Sequence, residues 1–284
     1  MLTKIAAPVL KLDETRLMKW TQEAEQAVSK VPFFVRRLVR KRVEEEASGT
    51  GSSVVELAHV TSCRNRFLAN MEDEVKGYQL ETCFASGGCP HRAVMSDDLV
   101  RGLEKLLERA GLRDLLRERV QGPLKMHHEF RVTVAECPNA CSRPQIVDVG
   151  IIAAAFPGAS EEPCSRCGAC VQICREEAVV LLPEELDRPV IHTDRCISCG
   201  ECIRTCPVGT LTERNAGYRM LLGGKLGRHP QLGTEMPGIY SAAEILRMTE
   251  RCIAHYKTYS RGGERFGDIL IRTGYDFLNG DRRE

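Results

Sequence analysis

No stretch of this sequence approaches the roughly 18 consecutive apolar residues that a membrane-spanning helix needs. The longest candidate, residues 146–156, is too short and is interrupted by Asp148. A dominant charge is lacking too: 40 Lys and Arg against 39 Asp and Glu leave a net charge of +1. No overall field therefore points to nucleic acid or to an anionic membrane. Nor is there an export signal, since Lys4 is followed only by a short apolar stretch that Pro8 breaks. The expectation is a cytoplasmic chain with no membrane span and no nucleic-acid partner. Cysteine, by contrast, is abundant, with 14 in 284 residues. Reducing conditions argue against a disulfide framework, which leaves metal or cluster ligation as the better account. An apolar content of 43% is enough for a real core, and the length suggests one to three domains.

Residues 13–70 read as three helices. Trp20, Ala24, Ala27 and Val28 fall at helical spacing, Pro32 opens a second segment, and Ser53–Glu56 has the form of a capping box for a third. The basic run Arg36–Arg42, balanced by Glu44–Glu46, reads as a solvated helix face. Ser96-Asp97-Asp98 starts another helix, with Leu99, Leu103, Leu106 and Leu107 on one side, interrupted at Gly111. Phe130–Val134 alternates like a strand, and a second strand is expected over 146–155. Further on, Tyr218–Leu222 reads as a short strand and Gly223-Gly224 as a tight turn. Ser241–Glu244 is a capping box for a helix to about Tyr259, and Phe266–Phe277 reads as a final helix.

The strongest signal lies at residues 157–212. Cys164, Cys167, Cys170 and Cys174 follow the spacing C-x2-C-x2-C-x3-C, and Cys196, Cys199, Cys202 and Cys206 repeat it, followed by Pro207. Three thiolates on a tight loop cap one face of an iron–sulfur cubane, and the fourth in each run reaches the other cluster. Cys164, Cys167, Cys170 and Cys206 are thus expected to hold one [4Fe-4S] cluster, and Cys196, Cys199, Cys202 and Cys174 a second. The repeat resembles bacterial two-cluster ferredoxins. It departs from them at Arg175, where the full run has Pro, without removing a ligand.

Two further pairs remain, Cys83 with Cys89 (C-x5-C) and Cys137 with Cys141 (C-x3-C). Four thiolates from two turns can hold a third cubane; a four-cysteine zinc site or structural cysteines are the alternatives. The pattern resembles the sirohaem-coupled cluster of the sulfite and nitrite reductase family. Phe130–Ile151 and the segment Tyr218–Pro230 look like its strand–loop–strand and glycine-rich segments. The resemblance implies an α+β chain. Residues 77–156 and 213–284 would form a sulfite-reductase-like α/β domain, and 157–212 an inserted bacterial-type 2[4Fe-4S] ferredoxin module. It also implies that Cys83, Cys89, Cys137 and Cys141 bind a third [4Fe-4S] cluster. Cys141 would bridge to sirohaem, with Arg228 and His229 near the sirohaem carboxylates. Residues 1–70 would be a separate small helical domain. Its segment from Trp20 resembles the small domain of a light-independent protochlorophyllide reductase subunit, and it is expected to cap the sirohaem or dock a partner subunit.

The family binds a small oxyanion above the haem with Lys and Arg, because a buried anion needs paired cations. Glu129-Phe130-Arg131 falls where a basic strand is expected. A carboxylate thus replaces a cation, and reads as surface charge, with Lys125 and Arg131 as the anion-binding candidates and His127 and His128 nearby. Cys63 and Cys252 read as structural thiols. Two functions follow. The first is a sulfite or nitrite reductase-like subunit that takes electrons through the ferredoxin pair to the third centre. The second is an electron-transfer subunit without substrate chemistry. Either implies a redox partner protein and an oligomer or larger complex.

Overall fold

Proline and hydrogen-bonding caps punctuate the N-terminal helices. The computed structural model describes residues 18–182 and 188–281, so the expectations for residues 1–17 lie outside the described residues. Two compact units divide between Glu72 and Asp73. In the first, β1 (Lys19–Trp20) leads to α1 (Gln22–Ser29), whose N-cap Thr21 accepts from the Ala24 N–H. Pro32 immediately precedes α2 (Phe33–Gly49). Here two of the expectations shift. Val54–Val55 form a strand, β2, that pairs in parallel with β1, so Ser53 caps nothing and α3 (Leu57–Glu74) starts later. The basic run is not simply solvated. Arg40 makes a two-pronged ion pair with Glu25 at 2.6 and 2.7 Å and stacks over Trp20, while Arg36 donates to the Ser29 and Val31 carbonyls that end α1. Ala24, Val43, Ala47 and Val55 are the core of this unit, with Cys63 packed at its edge.

The second unit is built on a five-stranded sheet in the order β3-β4-β5-β8-β9. β3 (Tyr78–Thr82), β4 (Phe130–Ala135) and β5 (Val149–Ala159) run parallel. Between β3 and β4 come α4 (Asp97–Arg109) and α5 (Leu112–Arg119), separated by the left-handed Gly111. Between β5 and β8 lie α6 (Ala169–Ile173), the strand pair β6 (Val179–Val180) and β7 (Val190–Ile191), and α7 (Glu201–Thr205). β8 (Leu211–Leu222) and β9 (Thr234–Glu235) are antiparallel additions, and α8 (Ala242–Tyr259) and α9 (Phe266–Thr273) complete the unit. The expected capping box is present in full at Ser241 and Glu244. No helix among the described residues is long and apolar enough to cross a membrane.

Alternation gives the sheet two unlike faces. Phe130, Val132 and Val134 of β4, Val149 and Ile151 of β5, and Met220 of β8 share one core with α4, α8 and α9. Cys252 lies fully buried in that core and is a structural thiol. The strand expected over Tyr218–Leu222 is much longer. β5 and β8 stay paired from Val149↔Leu222 to Ala159↔Leu211, with a bulge at Phe156/Pro157. Residues 160–210 therefore hang from a rigid two-stranded ribbon. Gly223-Gly224 is not the turn, because Lys225 bridges Gln231 and the reversal falls between them.

Glu129 also differs from its expectation as surface charge. It is 3% exposed, and its carboxylate accepts from the Lys76 and Gly77 N–H groups and from Gln79 Nε2. It pins the start of β3 to β4.

Burial, reinforced by nearby cations, holds His127, His128 and His255 below the usual imidazole range. The unfolded chain then binds more protons than the folded one as pH falls below about 6.5. Stability is expected to be full above that pH and to decline through pH 6 and 5. Melting temperatures at pH 7.5 and 5.5 check this, and His255→Gln should shrink the difference.

Candidate metal centre

β3 and β4 are parallel and end side by side at Thr82 and Ala135, while β5 runs on to Ala159, so the loops after β3 and β4 emerge at one edge of the sheet next to the projecting β5–β8 ribbon. Cys83 follows β3 directly, Cys137 follows β4, and Ala155 on β5 pairs with Cys199 of the insert.

The Cys137–Val147 loop folds back over the second face of the sheet, where Ala140 packs on Ile152 and Leu221. That path depends on Gly150. A Cβ there would sit 1.9 Å from the Pro144 carbonyl oxygen, a contact no side chain tolerates. Gly150→Ala is expected to displace the loop, lower stability by about 1–3 kcal/mol and reduce iron bound per chain. Iron analysis beside a denaturant titration checks both effects.

The structure brings Cys83, Cys89, Cys137 and Cys141 together. Burial pushes the Cys137 thiol up, and the charges of Cys141, Cys83 and Cys89 push it further against the Asn139 N–H. Asn139 Nδ2 donates to Cys141 Sγ at 3.0 Å, and the Glu136 N–H donates to Cys83 Sγ at 3.3 Å. Cys141 is exposed. In the insert, burial lifts Cys202 to about 12, with Cys199, Cys196, Cys174 and Cys170 adding to it. Cys170 is raised by burial and by Cys164 and Cys167. Cys206 packs against the same buried cluster, and although burial opposes it, N–H donors from Leu211, Val208, Thr210 and Gly209 hold its thiol below the ordinary value. Four crowded thiols resist ionisation unless a cationic core is bound among them. Among the described residues, no three His, Cys, Asp or Glu side chains form a group that could hold a single metal ion. Closely spaced cysteines of this kind are the donor set of iron–sulfur clusters.

The other candidates are spread out. Arg131 stands on the second face of the sheet, with its Nε buried and without a hydrogen-bond partner. Arg219, on β8 and the same face, has a buried Nε that forms no hydrogen bond and lies in an ion pair 3.5 Å from Glu235 Oε1. Sequence reading passed over Arg219, although a cation alternating with Tyr218 and Met220 in an apolar strand was a legible signal. Arg228 and His229 are exposed in the turn between Lys225 and Gln231. Lys125 is exposed before β4, at the opposite end of that strand from Cys137.

Two residues unremarked in the sequence organise the edge. Glu136, 4% exposed, accepts from the Ser96 N–H and hydroxyl, and its second oxygen lies 2.7 Å from Arg92 Nε. Ser96 thus serves Glu136 instead of capping α4 with its side chain.

A mixed α/β sheet carrying twelve cysteines at these close spacings is the arrangement of an iron–sulfur protein. Comparison gives the family: residues 80–279 match the nitrite and sulphite reductase 4Fe-4S domain, and the chain belongs to it. Residues 20–64 match the protochlorophyllide reductase 57 kD subunit family. The chain is 31% identical over 195 residues to a coenzyme F420-dependent sulfite reductase of Methanocaldococcus jannaschii, covering 68% of this chain and 28% of that protein. It is 46% identical over 50 residues to a light-independent protochlorophyllide reductase subunit of Pelodictyon phaeoclathratiforme, covering 18% of this chain and 9% of that one. It also aligns with a crystal structure of dissimilatory sulfite reductase I at TM-score 0.46 and 18% identity, over 70% of this chain and 50% of that one. The chain thus spans well under two thirds of each of these relatives.

Proposed function

We propose that this chain is a sirohaem sulfite or nitrite reductase-like subunit with three [4Fe-4S] clusters, in which residues 157–212 feed electrons to a centre at Cys83, Cys89, Cys137 and Cys141. The observation that carries this is the convergence of those four thiols beside a sheet face bearing Arg131 and Arg219. A sirohaem sharing a thiolate with a cluster supplies electrons in succession to a bound oxyanion. The chain's own part is to hold and orient. Exposed Cys141, steadied by Asn139, is the thiolate placed to be shared. Arg131 offers a buried donor without a hydrogen-bond partner, and Arg219 one held only by its ion pair with Glu235, both suited to an oxyanion or to tetrapyrrole carboxylates. Arg228 and His229 remain candidates for the carboxylates from their exposed turn. A redox partner protein and a larger assembly belong to the same reading.

Anaerobic preparation, iron analysis and visible spectroscopy test it. Three cubanes give about twelve irons per chain, and bound sirohaem adds one more together with Soret and red-region bands. Twelve irons without a haem band would leave an electron-transfer subunit. Iron near eight would remove the third cluster.

A further inference from the structure

The insert meets the sheet through one of its two cysteine loops. The Ala155 N–H donates to the Ser198 carbonyl at 2.7 Å, and Ala155 pairs with Cys199 in a β-bridge. Gly200 allows that approach: a Cβ there would lie 3.1 Å from the Ala155 methyl and 3.3 Å from Arg204 Nη1, at a φ of +72°. Glu201, next in the chain, is held from two sides. His91 Nδ1 lies 2.8 Å from its Oε1, and Arg204 Nη2 lies 3.0 Å from the same oxygen. His91 belongs to the loop that carries Cys89, in the other cysteine set.

These contacts continue without a break. Arg204 donates to the Cys199 carbonyl at 3.4 Å and to the Arg92 carbonyl at 2.9 Å. Arg92 Nε pairs with Glu136, and the Glu136 N–H donates to Cys83 Sγ. Arg204, Arg92 and Glu136 thereby join a ligand loop of one set to a ligand of the other. Their energy is small, because the His91 side chain is 60% exposed and an exposed ion pair contributes about 0–1 kcal/mol. What such contacts fix is position.

We infer that Glu201, clasped by His91 and Arg204, is a positioning latch that sets the Cys196, Cys199, Cys202 and Cys174 centre against the Cys83, Cys89, Cys137 and Cys141 centre. It makes the former the exit for electrons leaving the insert. This rests on the third-cluster reading above. Each transfer oxidises the insert centre by one electron and reduces the third centre by one, with no bond made or broken.

The test uses the anaerobic, fully loaded chain. Glu201→Lys places a cation between His91 and Arg204, and His91→Ala breaks the clasp without altering the insert. In both, iron is expected to stay near twelve per chain. Two readouts should change together. The spin–spin splitting between the two centres in the dithionite-reduced EPR spectrum should narrow. The relaxation of a single flash-delivered electron from insert to third centre should slow by about tenfold or more, since ångström-scale misplacement of reacting groups costs orders of magnitude. Both variants keeping twelve irons with unchanged splitting and rate would overturn the latch alone. Iron near eight in the unsubstituted chain would overturn the third-cluster reading and the latch with it.

Discussion

Replacing Cys137 with alanine is expected to lower iron from about twelve to about eight per chain. Cys137 is half-buried and close enough to Cys141, Cys83 and Cys89 for their charges to raise its thiol. Removing it leaves three thiolates, one of them the exposed Cys141, too few to close the ligand set of a cubane. The two sets of the insert are built from other residues around Cys170, Val179, Cys202 and Leu211 and should keep their iron. Cys252→Ala is the control. That thiol sits in the core of the sheet, so its loss should lower stability and leave iron unchanged. Iron analysis with EPR of the reduced protein separates the two, and full iron in the Cys137 variant would rule out a cluster at that set.

The largest stability effect is expected at Asp148→Ala. Asp148 is 1% exposed and joins three elements. Its Oδ2 accepts from the Arg131 N–H at 2.8 Å, its Oδ1 from the Phe266 N–H at 3.3 Å, and its carboxylate pairs with Arg265. Arg265 in turn donates to the His127 and Glu129 carbonyls. Alanine leaves a largely buried guanidinium without its counter-charge and two backbone donors unpaired, where a broken buried pair costs about 3–5 kcal/mol. At about 2–4 °C per kcal/mol for a unit of this size, the melting temperature should fall by about 10 °C. A denaturant titration with unchanged slope and a lower midpoint would locate the loss in the folded state. A change under about 1 kcal/mol would show that solvent reaches the site.

What local chemistry controls was legible. The capping box at Ser241 and Glu244 and the amphipathic α4 each depend on neighbours within a turn or two, and each forms where its residues stand. Misreadings occurred where a distant partner outweighed a local signal. Ser53 looked like a cap, but Val54 and Val55 pair with Lys19 and Trp20 from another part of the chain. Ser96 keeps its place before α4, but its hydroxyl goes to Glu136 on the neighbouring strand end. Glu129 looked like surface charge because nothing near it in the sequence announces the Lys76 and Gly77 N–H groups that bury it.

The sequence by itself determined the inventory of candidate ligands. Cubane chemistry demands cysteines on tight loops, and that demand is written as short spacings. Only the tertiary structure decided which residues stand around those ligands. Parallel pairing of β3, β4 and β5 brings Cys83, Cys137 and Ala155 to one edge from positions up to 72 residues apart. The same pairing turns Arg131 and Arg219 to one face. Strand register carries no short-range signature, since it is set by which faces must be buried together. The contacts that join the insert to the third cysteine set arise from it.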